Sequence, residues 1–128
     1  MRLLLDTHAF VWAVGQPDKL SARARKAIAD GRNELFGSAA SAWEVSTKFR
    51  LGKLPHAAAI VWDFGGVLVK LQSVDLPVSA THALCAGAYP QAHRDPFDRM
   101  LAAQAEVEGL TLVSRDRAFD TFGVERLW

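Results

Sequence analysis

Met1-Arg2-Leu3-Leu4-Leu5-Asp6-Thr7 opens the chain as an apolar run that ends on a carboxylate. Three consecutive leucines show no polar alternation, so the run reads as a strand buried on both faces, as in a parallel sheet covered by helices. Leu112-Val113-Ser114-Arg115-Asp116 repeats the arrangement near the other end. In such sheets the functional crevice lies beyond the carboxyl ends of the strands. Asp6 and Asp116 stand there, and they meet if their strands are neighbours.

Working outward, strands and helices alternate. The residues from Thr7 to Val14 suit a helix, broken at Gly15-Gln16-Pro17. Ser21 caps a helix to about Asp30, stopped by Gly31. Leu35-Phe36-Gly37-Ser38 is a second strand, followed by a helix from Ala39 to Leu51 with Gly52 as its stop. His56 to Val67 reads as helical, weakened by Gly65-Gly66, and Lys70 to Val74 as a weak third strand. A helix runs from Pro77 to Ala86. The best-marked helix runs from Pro96 to Glu108, with proline at its first position and Gly109 at its end. Thr111 to Ser114 and Val124 to Trp128 complete the strands. The pattern implies an α/β fold with a mostly parallel sheet covered on both faces, one domain over residues 1–128.

Composition bounds the function. Half of the 128 residues are hydrophobic and 23% are charged, as in a water-soluble globular protein. No apolar run approaches the ~20 residues of a membrane span. Asp6 interrupts the N-terminal run too early for a signal peptide. The single Cys85 cannot form an internal disulfide, which points to the reducing cytoplasm, and it reads as a small buried hydrophobe. The net charge of +1 conceals a division. With Asp6, Glu44, Asp95, Asp98 and Asp116 set aside, 15 basic residues face nine acidic ones. A basic exterior around an acidic pocket suits a polyanion that meets a metal ion.

Each acid has a plain structural reading beside the functional one. Asp6 is a good N-cap for the helix that follows it. Glu44 closes Ser41-Ala42-Trp43-Glu44, a capping-box pattern. If the helix starts near Ala39, Glu44 is instead internal, on a stripe with Ala40, Trp43, Thr47 and Leu51. Asp95 reads as the N-cap before Pro96. Asp98 heads a face with Leu101, Ala102 and Ala105, at i, i+3, i+4 and i+7, and is preferred over Asp95 as a ligand. Asp116 also fits a turn or cap. Together the acids carry more weight. Two carboxylates about 5 Å apart repel by about 3 kcal/mol at an effective dielectric of 20, so four in one place require a cation. Oxygen-only ligands select Mg²⁺ or Mn²⁺. No Cys-His grouping suggests zinc. His8 and His93 read as neighbours of the acids rather than ligands, and Trp12, Trp43, Trp62 and Trp128 as core or interface residues.

Phosphate-binding glycine loops and the Gly-x-Ser-x-Gly nucleophile motif are absent. A phosphate-accepting receiver requires paired acids after the first strand and a late lysine, but Thr7-His8 follows Asp6 and no lysine follows Lys70. An Asp-x-Asp phosphatase needs an acid at position 8.

Taken together, Leu4-Leu5-Asp6-Thr7-His8, Ser41-Ala42-Trp43-Glu44-Val45, Leu51-Gly52-Lys53-Leu54, the stretch from His93 through Asp95-Pro96-Phe97-Asp98 to Ala105, and Leu112-Val113-Ser114-Arg115-Asp116 resemble PIN domains, specifically VapC-type toxin ribonucleases. The resemblance covers nearly the whole chain and is most specific over residues 93–105. It implies a three-layer α/β/α fold with strand order 3-2-1-4-5, which seats strands one and four side by side. It implies that Asp6, Glu44, Asp98 and Asp116 hold Mg²⁺ or Mn²⁺ for RNA hydrolysis. Asp95, Thr7 and Ser114 then stand as accessory residues, and Arg94, Arg99, Arg115 and Arg117 as candidates for steering RNA phosphates. It further implies a homodimer silenced by a VapB-like antitoxin. The rival expectation is a catalytically silent module that keeps the fold and binds RNA or a partner.

Overall fold

A computed structural model describes residues 1–128. Five strands form one sheet in the order β3-β2-β1-β4-β5: β1 Arg2–Leu5, β2 Glu34–Ser38, β3 Ser73–Leu76, β4 Thr111–Val113 and β5 Arg126–Leu127. Every pairing is parallel, with Leu5 opposite Gly37 on one side and Val113 on the other. The helices are α1 Thr7–Gly15, α2 Ala22–Ala29, α3 Ala39–Arg50, α4 Ala58–Trp62, α5 Phe64–Lys70, α6 Ala80–Ala88 and α7 Pro96–Glu108.

The leucine run explains the layering. Successive side chains on a strand point to opposite faces. Leu3 and Leu5 enter a core with Phe10 of α1, Ala24 of α2, Val45 of α3, Ile60 of α4 and Leu68 of α5. Leu4 enters the opposite core with Phe36, Leu101, Ala102 and Ala105 of α7, and Phe119 and Phe122. All three leucines are fully buried, so the run needs no polar position. Gly37, the penultimate residue of β2, permits the first of these cores: a Cβ there would stand 2.7 Å from Leu68 and 2.9 Å from Phe10.

Several expected boundaries move, most for a local reason. The 56–67 helix is two helices, because Asp63 ends α4 and caps α5 by accepting from the Gly66 N–H. α5 then uses residues through Lys70, and Gln72 turns the chain at a φ of 51°, so β3 starts at Ser73 rather than Lys70. α6 starts at Ala80 rather than Pro77, behind a reciprocal Ser79–His82 cap. β5 is two residues rather than the five from Val124 to Trp128, and a 3₁₀ turn over Arg117–Phe122, capped by Asp116, precedes it. Trp43 and Trp62 are 64% and 78% exposed, so neither is a core residue. Cys85 is only half-buried, with its Sγ 3.5 Å from Glu106. No helix is long and apolar enough to cross a membrane.

Candidate active site

The carboxyl edge of the central strands gathers the acids. Asp6 leaves β1 with its backbone N–H bonded to the Val113 carbonyl, which locks the ends of β1 and β4 together. Its side chain caps α1 by accepting from the Ala9 N–H at 2.7 Å. The structural and functional readings therefore coexist: the cap fixes where the carboxylate points. Burial of this carboxylate raises its pKa, and Glu44 nearby pushes the same way, while Ser114, the Ala9 N–H and His8 oppose the rise. Ser114 reaches Asp6 because Leu5 and Val113 share a register, which makes residues 6 and 114 neighbours.

Glu44 lies inside α3, not at its start. Ser38 is the N-cap, accepting from the Ala40 N–H, so Ser41 and Glu44 form no capping box. The buried stripe is Ala40, Ser41, Glu44 and Val45, and Trp43 and Leu51 point outward instead. Ser41 receives the Thr7 hydroxyl at 3.0 Å, tying α1 to α3. Glu44 is 3% exposed and forms an ion pair with Lys48, one turn along the helix.

Asp98 opens α7. Asp95 is the cap, accepting from the Phe97 and Asp98 N–H groups. The pKa of Asp98 is pushed up to about 6, chiefly by burial and also by Asp95 and Glu44, while a hydrogen bond with His93 pulls it down. That bond, His93 Nε2 to Asp98 Oδ2, measures 2.9 Å. Trp43 and Phe97, each next to one of these acids in sequence, meet edge to face at 4.8 Å and line an apolar cleft of about 230 Å³ with Val78 and Met100.

Asp116 is exposed and caps the 3₁₀ turn through the Ala118 N–H, while its own N–H donates to Ser114. It shares with Asp6 a cleft of about 360 Å³ lined by His8, Trp12, Arg115 and Arg117. Arg115 lies over the Trp12 ring, 5.4 Å from its centre. Arg94 is exposed. Arg99 is used otherwise: its guanidinium donates to the carbonyls of Ala86, Tyr89, Gln91 and His93. It clasps the α6–α7 connection with four of its five N–H groups, a structural use that revises the expected RNA contact.

Asp6 and Asp98 thus each feel the charge of Glu44, but the acids do not converge on one point. No three acid, histidine or cysteine side chains are arranged to hold a metal ion. Lys48 pairs with Glu44 and His93 engages Asp98. The donor chemistry nevertheless fits a hard divalent cation: every candidate ligand is a carboxylate oxygen, and burial holds two of them in a state that a nearby cation would relieve. Lys48 was not among the expected site residues, whereas His93, read as a neighbour of the acids, is hydrogen-bonded to Asp98. The i, i+4 spacing of Glu44 and Lys48 is the signal that could have found the lysine.

An all-parallel α/β/α sheet in the order 3-2-1-4-5, with acids buried at its carboxyl edge, defines a class of carboxylate-bearing three-layer proteins. The family model described as PIN domain matches residues 3–125, and the chain belongs to the PIN domain family. PIN domains are generally nucleases and typically use divalent metals. Among solved structures, the chain is similar to VapBC2 from Rickettsia felis bound to a DNA fragment from their promoter. That match has 15% identity, 99% of this chain, 98% of that one and a TM-score of 0.69. FitAcB from Neisseria gonorrhoeae matches at 19% identity, 98% and 96% coverage and a TM-score of 0.66. FitAB bound to an IR36 DNA fragment matches at 17% identity, 98% and 93% coverage and a TM-score of 0.60. No curated protein matches the sequence.

Proposed function

We propose that the chain is a VapC-type ribonuclease toxin, dependent on Mg²⁺ or Mn²⁺, that hydrolyses RNA phosphodiester bonds. The observation that supports this most is the desolvation of Asp6 and Asp98, each beside the Glu44 carboxylate, at the carboxyl edge of the sheet. A fold does not retain mutually repelling, desolvated carboxylates for stability, because each costs free energy when charged.

In this reading Asp6, Glu44 and Asp98 would hold the ion, with Asp116 contributing from the rim, and a bound ion would supply charge neutralisation at the scissile phosphate and a water of lowered pKa. The chain's own residues do the rest. Ser114 and the Ala9 N–H orient Asp6. Thr7 and Ser41 keep α1 and α3 in register behind it. Asp95 fixes the start of α7 and therefore the position of Asp98. Arg115 and Arg117 line the open side of the 360 Å³ cleft, where a phosphate backbone would run, and Arg94 is available beyond it. No side-chain nucleophile is required.

The biological setting is carried over from the similar complexes and the family resemblance. The chain acts in the cytoplasm, pairs as a homodimer and is silenced by a VapB-like antitoxin. Exposed Leu51, Trp62 and Val69 give apolar surface for such assembly.

The separation of Glu44 and Asp98 onto Lys48 and His93 supports one rival, a silent RNA- or partner-binding module. Cleavage of labelled RNA with Mg²⁺ or Mn²⁺ decides between them, using wild type beside Asp6→Asn and Asp98→Asn. Loss of cleavage by a factor of ~10² or more in both folded variants establishes the nuclease. Equal activity in all three eliminates it. Growth arrest on overexpression tests the toxin assignment, and normal growth with abundant soluble protein counts against it.

A further inference from the structure

Glu44 and Lys48 form the one pair at the site in which a buried carboxylate is already balanced by a full positive charge. Glu44 is 3% exposed, and the Lys48 ammonium is the hydrogen-bond partner of its Oε2. A carboxylate this deep would be strongly destabilising without a counter-charge. The order Glu then Lys at i, i+4 is the favourable one on a helix. The side chain of Lys48 is 30% exposed, and its four-carbon stem gives it a route to solvent.

We propose that Lys48 is a built-in competitor of the divalent ion: it neutralises Glu44 while the ion is away, and its charge opposes the ion's arrival at that carboxylate. This rests on the reading of Asp6, Glu44 and Asp98 as the cation site. Lys48 engages only Oε2 of Glu44, but an ammonium and a divalent ion on one carboxylate repel at contact distance, so the lysine raises the cost of occupancy. The pairing explains how a buried glutamate persists inside α3. Lys48 is therefore a positioning residue that sets the threshold for occupancy. Its loss makes the site greedier for metal and the metal-free fold weaker.

The test is calorimetric titration of the full chain with Mn²⁺ alone, for wild type, Lys48→Met, Lys48→Arg, Glu44→Gln and the double variant Glu44→Gln/Lys48→Met. Lys48→Met should tighten Mn²⁺ binding about tenfold, Lys48→Arg should stay within about twofold of wild type, and the double variant should match Glu44→Gln. Melting adds a second readout. Lys48→Met should melt below wild type without metal yet gain more from saturating Mn²⁺. A purely structural lysine would lower both melting points alike and leave affinity unmoved. If Lys48→Met folds poorly, Lys48→Gln gives the same comparison. Unchanged or weaker Mn²⁺ binding in the neutral variant, beside a wild type that binds, overturns the proposal and leaves the metal site standing. Silence in every variant removes the metal site itself, and the proposal with it.

Discussion

Asp6 and Asp116 stand at equivalent places in the sequence pattern, each just past a short apolar strand and each capping the helical turn that follows. Their surroundings differ sharply. Asp6 is 6% exposed, flanked by β2 and β4 and faced by α3, whereas Asp116 is exposed beside a two-residue edge strand. The strand-then-acid pattern fixes where along a parallel sheet a carboxylate falls. It does not fix the cost of keeping that carboxylate charged, which depends on what packs on either side. A central strand has neighbours on both flanks, and the strand next to the edge has a short one on its outer side.

The largest effect that sharpens this contrast is catalytic. Asp6→Asn should reduce metal-dependent RNA cleavage by about 10³-fold, whereas Asp116→Asn should cost no more than about tenfold. Comparable losses in single-turnover assays would erase the distinction between the buried and the rim acid. The next separates the arginines. Arg99→Ala strands four backbone carbonyls and should lower unfolding free energy by about 2–3 kcal/mol, while Arg117→Ala should change it by less than about 0.5 kcal/mol. Urea melts of both variants measure this.

A smaller effect is a pH dependence. Folded Asp98 keeps its proton up to about 6, against an ordinary value of 3.8. Between those values the folded state binds more protons than the unfolded one. Metal-free stability should therefore fall as pH rises through about 4 to 6, with the penalty fully present above 6. Asp6, also raised by burial, acts in the same direction. Asp98→Asn should flatten the profile by about 1–2 kcal/mol, less than the full shift because water reaches part of this side chain. A profile that instead rises across the window would contradict the burial of these acids. The smallest effects have opposite signs. Asp116→Ala loses a cap and should destabilise by about 0.5–1 kcal/mol, whereas Asp6→Asn keeps a capping oxygen, removes a desolvated charge and should stabilise the metal-free chain by about 1 kcal/mol.

The sequence was most legible where local chemistry and long-range packing agree. The leucine run, Pro96, Gly109 and the Ala39 start of α3 all mark elements that the fold keeps, and the strand order followed from family resemblance. Legibility failed where a partner comes from far along the chain. Ser41 looked like a cap because Ser-x-x-Glu is a local pattern, but Ser38 stands at the end of β2 and takes that place. Arg99 looked available because nothing local announces four carbonyls converging on it. At the site, positions of acids could be read from spacing, while the diversion of Glu44 to Lys48 and of Asp98 to His93 depends on rotamers that no period encodes.

Gly37 has a reach beyond its own strand. Any side chain there would drive a wedge between the middle of the sheet and the layer formed by Phe10 and Leu68. Phe10 belongs to the first turn of α1, and its backbone N–H bonds to the carbonyl of Asp6. Thickening the molecule at that glycine would tilt the helix whose first residue follows Asp6. The aim of the acid is in this way calibrated from near the end of a neighbouring strand, by a residue that carries no reactive group of its own.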